Sequence, residues 1–143
     1  MPYRFLEDVA TADIAFEASG ETLEELFIAA ALATTNVMIR DLQQIEKREK
    51  REIKVEAEEM DLLLFNFLQE IIFYKDAEQL LFSKYEIKIN ERDTPLGLIA
   101  DVYGEKLDIS KHDLIVDVKA VTLHQFEIKK IEGGWKATVI LDI

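Results

Sequence analysis

The last third of the chain alternates apolar and polar residues for longer than a helix allows. Leu114, Val116, Val118, Ala120, Thr122, His124, Phe126 and Ile128 share one face, and Asp117, Lys119, Val121, Leu123, Gln125 and Glu127 share the other. Gly133-Gly134 then reads as a two-residue hairpin turn. Beyond it, Trp135, Ala137, Val139 and Leu141 line one face of a final strand, with Lys136, Thr138, Ile140 and Asp142 opposite. This end of the chain is therefore committed to antiparallel sheet.

The N-terminal end carries the same signal. Residues 3–7 read as a short strand. Residues 11–18 read as a second, with Ala12, Ile14, Phe16 and Ala18 on the apolar face and Thr11, Asp13, Ala15 and Glu17 turned away from it. Ser19-Gly20 breaks the pattern. Thr22-Leu23-Glu24-Glu25 is a capping box, and Leu23, Leu26, Phe27, Ala30 and Ala31 follow at helical spacing, so a helix is predicted over 22–39. The charged stretch 46–52 mixes signs, and Ile53 and Val55 extend it into a strand ending near Glu58. Met60 to Phe73 is apolar around most of its circumference, which predicts a central core helix. Strands follow at 85–89 and 96–103, then a polar connection over 107–113. Two helices and about seven strands, without regular βαβ alternation, predict an α+β fold with mainly antiparallel sheet in one domain, 1–143.

Composition excludes several classes of function. There is no cysteine, so disulfides, Cys-zinc sites and thiol catalysis are out. The net charge of −12 disfavours direct binding to phosphate backbones and is sufficient for solubility. No run of apolar residues is long enough for a membrane span, and the acidic start Glu7-Asp8 is not that of a signal peptide, so a cytoplasmic protein is expected. No Gly-rich phosphate loop and no HExxH motif occurs, and no nucleophile has a base beside it. His124 falls on an apolar strand face, as a core or interface histidine does. His112 falls in a predicted loop, exposed to solvent.

One constellation stands out. Asp142 is the penultimate residue, so its carboxylate lies beside the terminal carboxylate of Ile143. Two anions that close repel unless a cation lies between them. Asp13 would add a third carboxylate if the first and last strands were neighbours. Such oxygen ligands suit Ca²⁺, Mg²⁺ or Mn²⁺ rather than zinc.

Taken together, Thr11-Ala12-Asp13-Ile14, the helix start Thr22-Leu23-Glu24-Glu25-Leu26-Phe27, Asp117-Val118-Lys119-Ala120-Val121-Thr122, Gly134-Trp135-Lys136-Ala137 and Leu141-Asp142-Ile143 resemble the archease family, in the family's order and over essentially the whole chain. The resemblance implies a small protein cofactor rather than a self-sufficient enzyme. Its partner would be the RtcB-type RNA-splicing ligase of tRNA splicing, which uses GTP and manganese. The cofactor would promote guanylylation and multiple turnover of that ligase. The resemblance also implies a metal site at Asp13, Asp142 and Ile143, holding calcium or a similar divalent ion, and a functional lysine at Lys119. A histidine common in the family just before Thr-Ala-Asp is Ala10 in this chain.

Lys119 presents a geometric difficulty. A two-residue turn at Gly133-Gly134 would set Asp142 opposite Gln125, leaving Lys119 six residues on, roughly 20 Å away. Either a bulge interrupts 119–131, or Lys119 acts apart from the metal, for instance as an exposed partner of Asp117. Two other functions remain as alternatives. One is a chaperone or specificity modulator of RNA-modifying enzymes such as a tRNA methyltransferase. The other, a free-standing carboxylate hydrolase, is opposed by the missing catalytic motifs.

Overall fold

The structure, a computed structural model, describes residues 2–6 and 13–143. Among them run β1 (Tyr3–Leu6), β2 (Asp13–Gly20), α1 (Leu23–Met38), a 3-10 turn (Leu42–Gln44), β3 (Glu49–Ala57), α2 (Met60–Glu78), β4 (Leu80–Asn90), β5 (Leu96–Lys106), β6 (Ala120–Ile131) and β7 (Gly134–Asp142). The strands form two antiparallel sheets, ordered β1-β2-β7-β6 and β3-β5-β4. The α+β expectation holds. Thr11, Ala12 and Ala10 lie outside the described residues.

The capping box forms as read. The Thr22 hydroxyl accepts from the Glu25 amide at 3.1 Å, and the Glu25 carboxylate accepts from the Thr22 amide at 3.1 Å. Small side chains at Ala29, Ala30, Ala31 and Ala33 leave α1 buried on several sides, so it packs on β2 and β7 while also touching β4. Helix α2 packs on β3, β4 and β5 through Leu63, Leu64, Phe67, Leu68, Ile71 and Ile72, the face its spacing predicted. Phe27 of α1 stacks on Phe67 of α2 at 6.1 Å, joining both layers into one core. Among the described residues no helix is long and apolar enough to cross a membrane.

Four features depart from the sequence expectation. Helix α2 is not apolar all round in use: Leu62 and Phe73 are exposed, and the helix runs on through Lys75-Asp76-Ala77-Glu78 to a left-handed Gln79. Its polar side covers the open edge of β6. Asp61 accepts from the Ile128 amide at 3.2 Å and Gln69 from the Val121 amide at 3.1 Å, while Lys75 donates to the Val118 carbonyl at 2.9 Å. An uncovered edge strand would otherwise present unpaired backbone groups. Strand β4 begins at Leu80, not 85, because Leu80, Leu81 and Phe82 are all buried and so show no alternation. Residues 114–118 are not strand. Leu114 makes a single bridge to Ile39, and regular pairing starts at Ala120.

The turn also differs. Ile131 pairs with Gly134, so Glu132-Gly133 makes the turn, with Gly133 at φ 79°. Gly134 serves a different purpose: a Cβ there would lie well inside van der Waals contact of the Gly20 carbonyl oxygen. Gly134→Ala is expected to cost about 2 kcal/mol in urea unfolding, since backbone must move to admit the methyl group. A loss below ~0.5 kcal/mol, usual for surface changes, would contradict that close approach.

Candidate functional site

The two ends of the chain meet. Strands β2 and β7 pair with Asp13 directly opposite Asp142, Ile14 opposite Leu141, and Ala15 opposite Ile140. Because strand side chains alternate, Asp13 and Asp142 emerge on the same face of the sheet, while Ile14 and Leu141 point to the core. Like charges set directly opposite are destabilising. Among the described residues neither carboxylate has an ion-pair or side-chain hydrogen-bond partner.

The C-terminus is held rather than frayed. The Ile143 side chain packs against the core, and the Asp142 carbonyl accepts from the Lys119 amide at 2.8 Å.

The bulge alternative for Lys119 is the one realised. From Ile131 back to Glu127 the β6–β7 register is regular, but Thr122 then pairs with Ile140, leaving residues 123–126 opposite Val139 alone. Gln125 takes a left-handed φ of 53° within this bulge. As a result Ala120, not Gln125, faces Asp142, and Lys119 arrives at the end of the sheet. Lys119 does not pair with Asp117. Asp117 is held by Lys75 at 2.6 Å, and the exposed Lys119 ammonium pairs with no carboxylate among the described residues.

Asp13 and Asp142 carry hard oxygen donors of the kind a divalent ion takes. The adjoining row of the same face runs Leu6, Ala15, Ile140, Thr122 across the four strands. The Thr122 hydroxyl oxygen in that row is buried without a partner among the described residues. Among the described residues no three His, Cys, Asp or Glu side chains gather in one group.

The histidines fall elsewhere. His124 sits exposed in the bulge rather than on an apolar face. His112 is 3% exposed, not solvated. Its Nδ1 accepts from the Asp108 amide at 2.9 Å, which leaves the proton on Nε2, 3.3 Å from Glu105 Oε2. Glu105 is itself buried and also accepts from the Glu46 amide at 2.6 Å and from Lys111 at 2.7 Å. This clasp fastens the connection after β5, well outside the Asp13–Asp142 row.

Sequence reasoning missed Thr122, Glu105 and Lys75. A signal existed only for Lys75, which continues the buried helical stripe three residues after Ile72 and four after Ile71.

The model of the archease protein family (MTH1598/TM1083) matches residues 3–143. A protein archease from Pyrococcus abyssi is 42% identical over 134 residues, covering 93% of this chain and 94% of the relative. The solution structure of Methanobacterium thermoautotrophicum protein 1598 superposes with a TM-score of 0.86 at 42% identity, over 99% of each chain. The crystal structure of an archease, possible chaperone, from Thermotoga maritima matches in fold, with a TM-score of 0.59 at 20% identity over 98% of each chain.

Proposed function

The chain belongs to the archease family, and from that premise we propose that it is a protein cofactor of an RtcB-type RNA-splicing ligase, acting through the joined chain ends. The observation that carries this reading is the cross-strand placement of Asp13 against Asp142, beside the terminal carboxylate and within reach of the Lys119 backbone. Asp13, Asp142 and the Ile143 carboxylate would hold the divalent ion, calcium or else magnesium or manganese. When bound, it would supply positive charge that offsets the charge of a nucleotide triphosphate.

The chain's own residues do the rest. The carboxylates present an acidic edge to the positively charged cleft of a ligase that handles GTP and RNA. The exposed Lys119 ammonium, set at the same end, is free to meet a phosphate or an acidic ligase group. The Ile143 side chain anchors the terminus so that this edge is preformed. A weaker form of the reading has the ion merely order the C-terminus as a docking surface.

The test is guanylylation of the cognate ligase by GTP with manganese, with and without this protein. Faster and repeated guanylylation in its presence is expected. No stimulation at any ratio would overturn the reading. A second reading, chaperone or specificity partner of RNA-modifying enzymes such as a tRNA methyltransferase, draws on the exposed run Leu114, Ile115, Val116, each 38–45% exposed. It predicts action independent of Asp142.

A further inference from the structure

We propose that Lys75 is the positioning residue of this site, latching the peptide that joins Val118 to Lys119 against the C-terminal strand. The inference rests on the cofactor reading for its consequence, but its geometry stands alone. Lys75 lies in the last turn of α2 and is 7% exposed, an uncommon place for an ammonium. All three of its protons are used: on Asp117 at 2.6 Å, on Asp76, and on the Val118 carbonyl at 2.9 Å.

That last bond is the informative one. The carbonyl of Val118 and the amide of Lys119 belong to one planar peptide unit. Its oxygen accepts from Lys75, and its N–H donates to the Asp142 carbonyl at 2.8 Å. One rigid plane is thus held from both sides, by helix α2 and by the end of β7. Residues 114–118 have no strand partner beyond the Leu114 bridge. The approach of Lys119 to Asp142 therefore depends on what fixes this plane.

Burial without complete pairing is costly for a charge, and here the pairing includes Asp117, whose side chain is 64% exposed. Asp117 and Asp76 thus neutralise the ammonium from the solvent side, and the Val118 carbonyl takes the proton that points inward. Arginine could keep the carboxylate and carbonyl contacts, whereas methionine would fill the same volume and keep none.

The experiment measures amide exchange by NMR and calorimetric titration with Ca²⁺ or Mn²⁺, on wild type, Lys75→Met, Lys75→Arg and Asp117→Ala. In Lys75→Met the Lys119 amide is expected to lose at least about tenfold in protection, the value of one charge-assisted hydrogen bond, with β3–β5 amides unchanged. Ion affinity should fall by about tenfold, as for a lost supporting contact around a metal. Lys75→Arg should restore most of both. Asp117→Ala, which leaves Asp76 and the Val118 carbonyl on the ammonium, should shift the Lys119 amide in the same direction by a smaller factor.

The proposal is overturned if the Lys119 amide is unchanged in Lys75→Met, or if all strands lose protection equally. Should Lys75→Met not fold, an unchanged Lys119 amide in Asp117→Ala overturns it. If wild type itself binds no ion, the metal reading fails, while the amide data still decide the role of Lys75.

Discussion

Asp142→Ala is expected to lower stimulation of ligase guanylylation by at least about 100-fold, since removing a ligand costs no less than the roughly 10–100-fold seen for a contact that only supports one. Asp13→Ala should do the same, because each aspartate is the other's cross-strand partner. Neither variant should lose stability. Removing one carboxylate relieves repulsion between two facing anions, so each should be unchanged or more stable by about 0.5 kcal/mol. Loss of function without loss of stability separates this site from ordinary structural residues. A second measurement sharpens it: divalent ion should raise the Tm of wild type by mass action and leave both variants unmoved. If both variants stimulate the ligase as wild type does, the carboxylate site is wrong, although the partner could still be right.

The other large effect is on stability and lies in the Glu105 clasp. Burial alone would raise this carboxyl. The Glu46 amide, the Lys111 ammonium and the His112 ring outweigh it and hold the group down from its ordinary 4.5 to about 2. A carboxylate with a depressed pKa stabilises the fold above its unfolded value, and that stabilisation is lost as pH falls through the folded one. The clasp therefore contributes fully above about pH 4.5 and fades towards pH 2. Glu105→Gln should cost about 3 kcal/mol at pH 7, or roughly 10 °C in Tm, because Lys111 and His112 keep their donors but lose the anion between them. Urea unfolding at a series of pH values checks both statements. The gap between wild type and variant should narrow as the medium is acidified below pH 4.5. A gap that stays constant with pH would mean the charge on Glu105 contributes nothing and only its shape matters.

The sequence by itself determined the elements whose residues feel one environment along their length. The Thr22–Glu25 capping box is local chemistry, complete within four residues. The alternation of β2 and β7 placed Asp13 and Asp142 on the face away from the core, and the apolar stripe of α2 named Leu63, Leu64, Phe67, Leu68, Ile71 and Ile72 as buried. Family resemblance then pointed to Asp13, Asp142, Ile143 and Lys119 as a set. What periodicity could not carry was anything decided by a distant partner. Leu80-Leu81-Phe82 gives no alternation because both faces of that strand end are covered.

His112 looks like a loop residue until Glu105 closes over it. Gly134 looks like a turn residue until Gly20 comes against it. The meeting of Lys119 with Asp142 is the clearest case. Counting residues from the hairpin sets them far apart, and only the bulge at 123–126 takes up the excess chain. Alternation reports which side of a sheet a residue faces, a property of its own backbone. Register reports which residue it faces, and that is settled by the helix side chains, glycines and bulge that the rest of the chain brings to the same place.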